Sequence, residues 1–299
     1  RAILLSAPQT ATGISAIEPD RYRLMVLAEK EVTDLAGNGL AETAVQEFWV
    51  VPAAVLQHDQ SYHYTDESGH KLTVRLSGPG QVQMVFGAEV GSANKIETIL
   101  VTGTTEETNL KIQSSRAGGT VLVGEILIDG PLNILEGKYV QITGRLVAEG
   151  QVHQISLGSI AAEAFVDVQA HAEGVRLTTG SVGTDAVIQV DGHLAVLHMA
   201  SFAGSTISAG SAGKITIQNG DMQGNLNITE GNLENLVVAK GDFSGRLEVA
   251  SLLGCLHVRQ GTISADVFAD AVGTISCRKM ADNVIRSAGD IEAVQVRRA

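Results

Sequence analysis

A six-residue apolar pattern that returns about every 20 residues constrains this chain more than any other feature. It reads apolar-x-x-apolar-x-apolar. It occupies Val152-Ile155-Leu157, Ala172-Val175-Leu177, Leu194-Leu197-Met199, Ala212-Ile215-Ile217, Leu233-Leu236-Val238, Leu253-Leu256-Val258, Val272-Ile275-Cys277 and Ile291-Val294-Val296. Successive central residues lie 18 to 22 positions apart. A second pattern lies between the copies. Gly220-Asp221-Met222 and Leu226-Asn227-Ile228 return, displaced by 21, as Gly241-Asp242-Phe243 and Leu247-Glu248-Val249. Gly261-Thr262-Ile263 follows, with looser versions at Ala164-Phe165-Val166 and Ala186-Val187-Ile188.

Period-two alternation marks a strand with one buried face. A unit of ~20 residues cannot cover its own apolar face, so it must stack on copies of itself. Stacked in parallel, Leu226, Leu247 and Val267 form one ladder, and Leu236, Leu256 and Ile275 another. The fold class expected is all-β: a parallel β-solenoid (β-helix) of ~20-residue coils, preceded by a partial Ig-like β segment. Coils rise about 4.8 Å each, so eight of them span on the order of 40 Å. The composition agrees. Aromatics are 4% of the chain, as a narrow aliphatic bore requires, and 33 glycines supply frequent tight turns.

The same pattern occurs earlier at Ile96-Ile99-Val101 and Val123-Ile126-Ile128. The steps from Ile99 to Ile126 and from Ile126 to Ile155 are 27 and 29, which predicts wider, less regular coils at this end. The organisation expected is a partial Ig-like segment over 1–53, a connecting β region or N-terminal cap over 54–95, and the solenoid over 96–299. Both cysteines are expected as free thiols. Cys277 holds an inward slot, and Cys255, just before Leu256, points out.

The formal charge of −12 argues against nucleic acid as a partner. From Ser251 onward six Lys/Arg face five Asp/Glu, a balance of +1, which leaves −13 for the rest. No apolar run reaches the ~18 residues of a membrane span. The opening Arg1 reads as that of a mature or excised piece.

Residues 22–51 carry Tyr22-Arg23-Leu24-Met25-Val26-Leu27, then Thr33-Asp34-Leu35-Ala36-Gly37-Asn38-Gly39-Leu40, then Phe48-Trp49-Val50-Val51. This run resembles the closing strands of the bacterial Ig-like domains of surface-layer and large secreted proteins: a strand, a Thr-Asp-x-Ala-Gly-Asn-x-Leu turn and a final aromatic strand. The stretch from Tyr64 to Gly80, with an acidic turn, Leu72-Thr73-Val74 and Gly78-Pro79-Gly80, resembles a segment of giant repetitive bacterial exoproteins. The two resemblances imply an extracellular, multidomain parent and no chemistry.

No residue is assigned a catalytic, cofactor-binding or metal-ligating role. His58, His63 and His70, with Asp59 and Asp66, are the densest group of potential ligands, but spacings of five and seven fit no zinc pattern, and a polar loop is expected. Asp34 and Asn38 offer oxygen ligands that could bind calcium, but the expectation is that Asp34 serves its own turn, with Gly37 supplying a positive φ. Asp221 and Asp242 stack as a carboxylate pair of the kind solenoid hydrolases use, yet each follows a glycine and reads as turn chemistry. Glu248 is expected near Phe268. Trp49 is the only tryptophan and Tyr139 the last tyrosine, so the rod offers little to stack a sugar. The expected function is that of a non-enzymatic structural rod of a cell-surface layer, sheath or filament, self-associating or joined to other surface proteins. An adhesin stalk, with a glycan as candidate ligand, is the alternative, followed by a polysaccharide-degrading solenoid. The end at Ile291–Val296 is expected to continue in a parent protein or abut another subunit, because a bare coil leaves backbone N–H and C=O groups unpaired.

Overall fold

A computed structural model describes residues 20–26, 44–50, 53–65, 71–86, 95–114 and 119–297, with side chains from residue 54 onward except 64–65. These residues contain strands and turns and no helix, hence no helix long and apolar enough to cross a membrane. The chain divides into one unit of residues 1–52 and 86–90 and a second of residues 53–85 and 91–299.

In the first unit Asp20–Val26 runs antiparallel to Ala44–Val50, with Arg21 opposite Trp49 and Tyr22 opposite Phe48. The turn motif at 33–40 lies outside the described residues.

The second unit is a parallel β-solenoid of about nine turns. Its interior is made of columns of side chains, one residue per coil in each column. In the first column Ile99 pairs with Ile126, Ile126 with Leu146, Leu146 with Val166, and Val166 with Ile188. The column continues through Ile207, Leu226 and Leu247 to Val267 and Ile285. The second column takes Leu110 and Leu135, then Ile155, Leu177 and Leu197, then Ile215, Leu236 and Leu256, and ends on Ile275 and Val294. From Ile99 to Val267 and from Leu110 to Ile275, every one of these side chains is at most 1% exposed. Alternation produces this result directly: the residue on either side of each column member is half-buried or exposed, buried Val237 beside Leu236 excepted, so about one apolar residue in two suffices to fill the core.

Sequence reasoning set Ile126 and Ile155 in one column and so expected a 29-residue coil. They belong to different walls. Ile126 is followed at 20 residues by Leu146, and Ile155 stands 20 after Leu135. The error has a simple cause, since both walls carry the same apolar alternation. Only the first coil is wide, with 27 residues from Ile99 to Ile126.

A third, shorter wall closes the section. Ile160, Val182, Phe202, Met222 and Phe243 are consecutive partners, and Ile263 follows in the next coil. Phe202 and Phe243 are fully buried, so the bore does admit rings at this wall, where they alternate with Val182, Met222 and Ile263. At Leu132–Ile160, Val187–Ile217 and Phe243–Met280 the backbone stays extended round the corners, and the ladder is interrupted or shifts register there.

At the N-terminal side the sheet changes sense. Lys71–Ser77 pairs antiparallel with the edge at Asn109–Ser114, and Ser61–Thr65 pairs antiparallel with Lys71–Ser77. Gln81–Phe86 lies beside Lys95–Thr102 and pairs antiparallel with Ala53–Gln57. Short antiparallel strands thus occupy the edges of the first coil, which otherwise would offer a template for further pairing.

Cys277 is buried at 3% exposure and Cys255 is half-buried; neither is in a disulfide. Burial pushes the Cys277 thiol up, against an opposing hydrogen bond from the Lys279 backbone. A raised thiol holds less thiolate at neutral pH and reacts more slowly. In the folded protein a thiol reagent is therefore expected to modify Cys255 first and Cys277 only after denaturation, as followed by peptide mass mapping. Equal rates at the two cysteines would contradict this burial.

Candidate functional site

Function on such a scaffold must come from the outward residues, which the register also stacks. The Asp221–Asp242 neighbours illustrate what stacking does with a carboxylate. Asp242 N–H donates to Asp221 Oδ1 at 2.8 Å, and Thr262 N–H donates to Asp242 Oδ1 at 2.6 Å. Each aspartate thus caps the turn of the coil that follows it. Asp266 does the same one wall on, accepting from Val284 N–H at 3.1 Å. This is backbone service, as the preceding glycines implied.

On the wall built by Leu226 and Leu247, Arg246 pairs with Glu248 and lies 4.6 Å from the centre of the Phe268 ring. Arg286 approaches the same ring at 5.8 Å. The result is a cation–aromatic stack running along three coils beside an open depression that also touches Asp270. Exposed contacts of this kind contribute about 0.5–1 kcal/mol each.

His58 and His63 have separate partners. His58 pairs with Asp59 at 3.0 Å, and His63 Nδ1 lies 3.1 Å from Thr73 Oγ1. His70, Asp66, Asp34 and Asn38 lie outside the described residues. A different set meets at one corner of the solenoid: His153, His171 and Glu173, with a ligand-type atom from each within 4.8 Å of the others. Sequence reasoning passed over them. Their signal was available, since 153, 171 and 193 are all histidine at steps of 18 and 22, the coil period itself.

Among the described residues, four of the six exposed large hydrophobic side chains fall in the last coil. Ile291, Val294 and Val296 are partners of Val272, Ile275 and Cys277, and so occupy interior columns. Yet they are 42%, 45% and 47% exposed, and Val284, earlier in the same coil, is 41% exposed. Among the described residues, Ile291–Val296 pairs on one side only. Its other edge presents backbone donors and acceptors next to a row of aliphatic side chains.

Comparison with protein-family models, with curated proteins and with solved structures finds no match to this chain.

Proposed function

We propose that this chain is a non-enzymatic structural rod of the cell surface, and that copies join end to end through the coil at 284–296. The observation that carries the reading is the exposed rung of Ile291, Val294 and Val296 in columns that are fully buried elsewhere. Complete burial of an aliphatic side chain stabilises by about 1.5–3 kcal/mol, so covering this rung gains several kcal/mol before the entropy of association is subtracted.

For the chain as it stands, the occupant of the rung is a second copy of the same coil, met face to face; a following coil of a longer parent protein would cover the same rung. Charge favours this arrangement. Residues from 251 onward sum to +1, whereas the remainder sums to −13, so contact between two such ends brings together the parts of the molecule that repel least. A two-fold contact of one edge strand with its own copy also makes an antiparallel ladder, which is a common self-complementary interface. Placement outside the cell rests on the resemblance of residues 22–51 to bacterial Ig-like strands. Cell fractionation tests it separately: a cytoplasmic pool would remove that part of the reading and leave the rod.

Sedimentation over a concentration series tests the association. The average mass is expected to rise from monomer to dimer, and the double substitution Ile291→Lys with Val294→Lys is expected to hold the protein monomeric at every concentration. Those positions are already half exposed, so the variant keeps its fold. A protein that stays monomeric before substitution, or a variant that dimerises unchanged, contradicts the proposal.

A further inference from the structure

We infer that His153, His171 and Glu173 form a zinc-type metal site that clips one coil of the solenoid to the next. The site is built by the register. Val152 and Ala170 are partners across adjacent coils, and the His171 amide donates to the Val152 carbonyl at 3.3 Å. The next residue along from each strand therefore leaves the ladder at the same corner, which sets the His153 and His171 rings 5.5 Å apart and nearly perpendicular. The chain then turns at once. Gly174 N–H donates to the His171 carbonyl at 2.7 Å, and Gly174 takes φ +87, a conformation that a side chain would strain. That turn returns Glu173 to the histidines.

The donor set decides the class of ligand. Two imidazoles and one carboxylate suit zinc and its neighbours Co2+, Ni2+ and Cu2+, whereas Ca2+ and Mg2+ prefer oxygen throughout. Three protein ligands leave a fourth position for water, as in open zinc sites. Ligand atoms on one tetrahedral zinc lie about 3.3 Å apart, given bonds of ~2.0–2.1 Å. The present separations of up to 4.8 Å close by side-chain rotation alone, since both rings are half-buried at a corner and Glu173 is exposed. One contact is given up. Glu173 N–H donates to His171 Nδ1 at 3.2 Å, and whichever ring nitrogen takes the metal, that bond is lost. The net worth of one such hydrogen bond is small beside a metal–imidazole bond. His193, in the following coil, packs over Gly174, where an added Cβ would lie 2.5 Å from its Cδ2. Its Nδ1 is held by Ser211 Oγ at 2.9 Å, so it shields the corner and stays outside the ligand set.

Calorimetry with Zn2+ on the metal-free full chain, supported by the visible spectrum of Co2+, tests the site. One equivalent is expected to bind, with a rise in the midpoint of thermal unfolding, because a ligand that binds only the folded state stabilises it. His153→Ala and His171→Ala are each expected to weaken binding by at least the ~10–100-fold that loss of an outer-shell partner costs. Glu173→Gln keeps the fold at an exposed position and is expected to weaken binding by about 10-fold or more. His58→Ala with His63→Ala is expected to change nothing. The inference is overturned by absence of zinc binding, by binding unaffected in the His153, His171 and Glu173 variants, or by binding lost only in the His58/His63 variant.

Discussion

Leu236→Asp is expected to abolish cooperative unfolding of the solenoid at room temperature, leaving a protein without the parent's thermal transition in circular dichroism. Leu236 is fully buried, with Ile215 one coil before it and Leu256 one coil after. Truncation there to alanine removes burial and opens a cavity, at about 2–5 kcal/mol. Aspartate adds an ionisable group with no partner among aliphatic side chains, which costs several kcal/mol more. Folded domains are stable by about 5–15 kcal/mol in all, so the sum reaches the whole of it. The neighbour Asn235, half-buried and facing out, supplies the control. Asn235→Asp is expected to stay within about 0.5 kcal/mol of the parent in urea denaturation. If the two aspartates behave alike, the inward column through Leu236 is wrong.

Gly245→Ala carries the second large effect, and it tests the backbone and not the core. Gly245 has φ +116 and stacks on Gly224, which has φ +134. A Cβ at 245 would stand 2.0 Å from the Gly224 carbonyl oxygen and 2.9 Å from its nitrogen. A Cβ at Gly224 would in turn lie 2.1 Å from the Ser205 oxygen, so the conflict recurs coil after coil. Unfavourable φ alone costs about 1–3 kcal/mol, and the clash is with ladder backbone that cannot yield without parting two coils. A loss of more than about 3 kcal/mol is expected by urea denaturation, against the ~1 kcal/mol typical of single substitutions. Gly103→Asn distinguishes strain from crowding. Gly103 sits at φ +63 with nothing within 4 Å of an added Cβ, and asparagine tolerates that conformation, so little change is expected there. Equal losses at 103 and 245 would remove the close coil contact from the explanation.

How much of this was legible depended on how many inward residues each wall contributes per coil. The walls through Leu236 and Leu247 place two or three apolar residues in alternation, and most of their rungs, the outward Cys255 and the inward Cys277 could be read from spacing; one rung could not, since Leu177 and not Val175 stands between Ile155 and Leu197, Val175 partners Leu194, and Ala172 is exposed. The short wall through Val182, Phe202, Met222 and Phe243 offers a single clear residue per coil, and one residue makes no alternation. The repeat set Met222, Phe243 and Ile263 in equivalent places, but the inward wall they build, its extension to Phe202 and Val182, and the place for two buried rings went unread. The misassigned partnership of Ile126 with Ile155 is the converse case, where two walls share one pattern and periodicity cannot say which is which. Outward residues were harder still. Asp221 and Asp242 were recognisable as turn residues from their glycines. His153 and His171 required knowing that the corner falls just after Val152 and Ala170, which becomes evident only once strands are paired.

The most direct test of stacked parallel coils is a cross-link between positions that only coil stacking brings together. Asn235 and Cys255 are partners in adjacent parallel strands, both half-buried and facing out. Strands in a sheet lie about 4.8 Å apart, inside the ~4.4–6.8 Å that a disulfide tolerates between Cα atoms. Asn235→Cys is therefore expected to close onto Cys255 within one chain under mild oxidation, yielding a linked peptide pair after digestion. Lys240→Cys, nearer to Cys255 in sequence, is expected to remain unlinked. If the thiol introduced at position 235 stays reduced while one at position 240 links readily to Cys255, these strands do not lie one above the other.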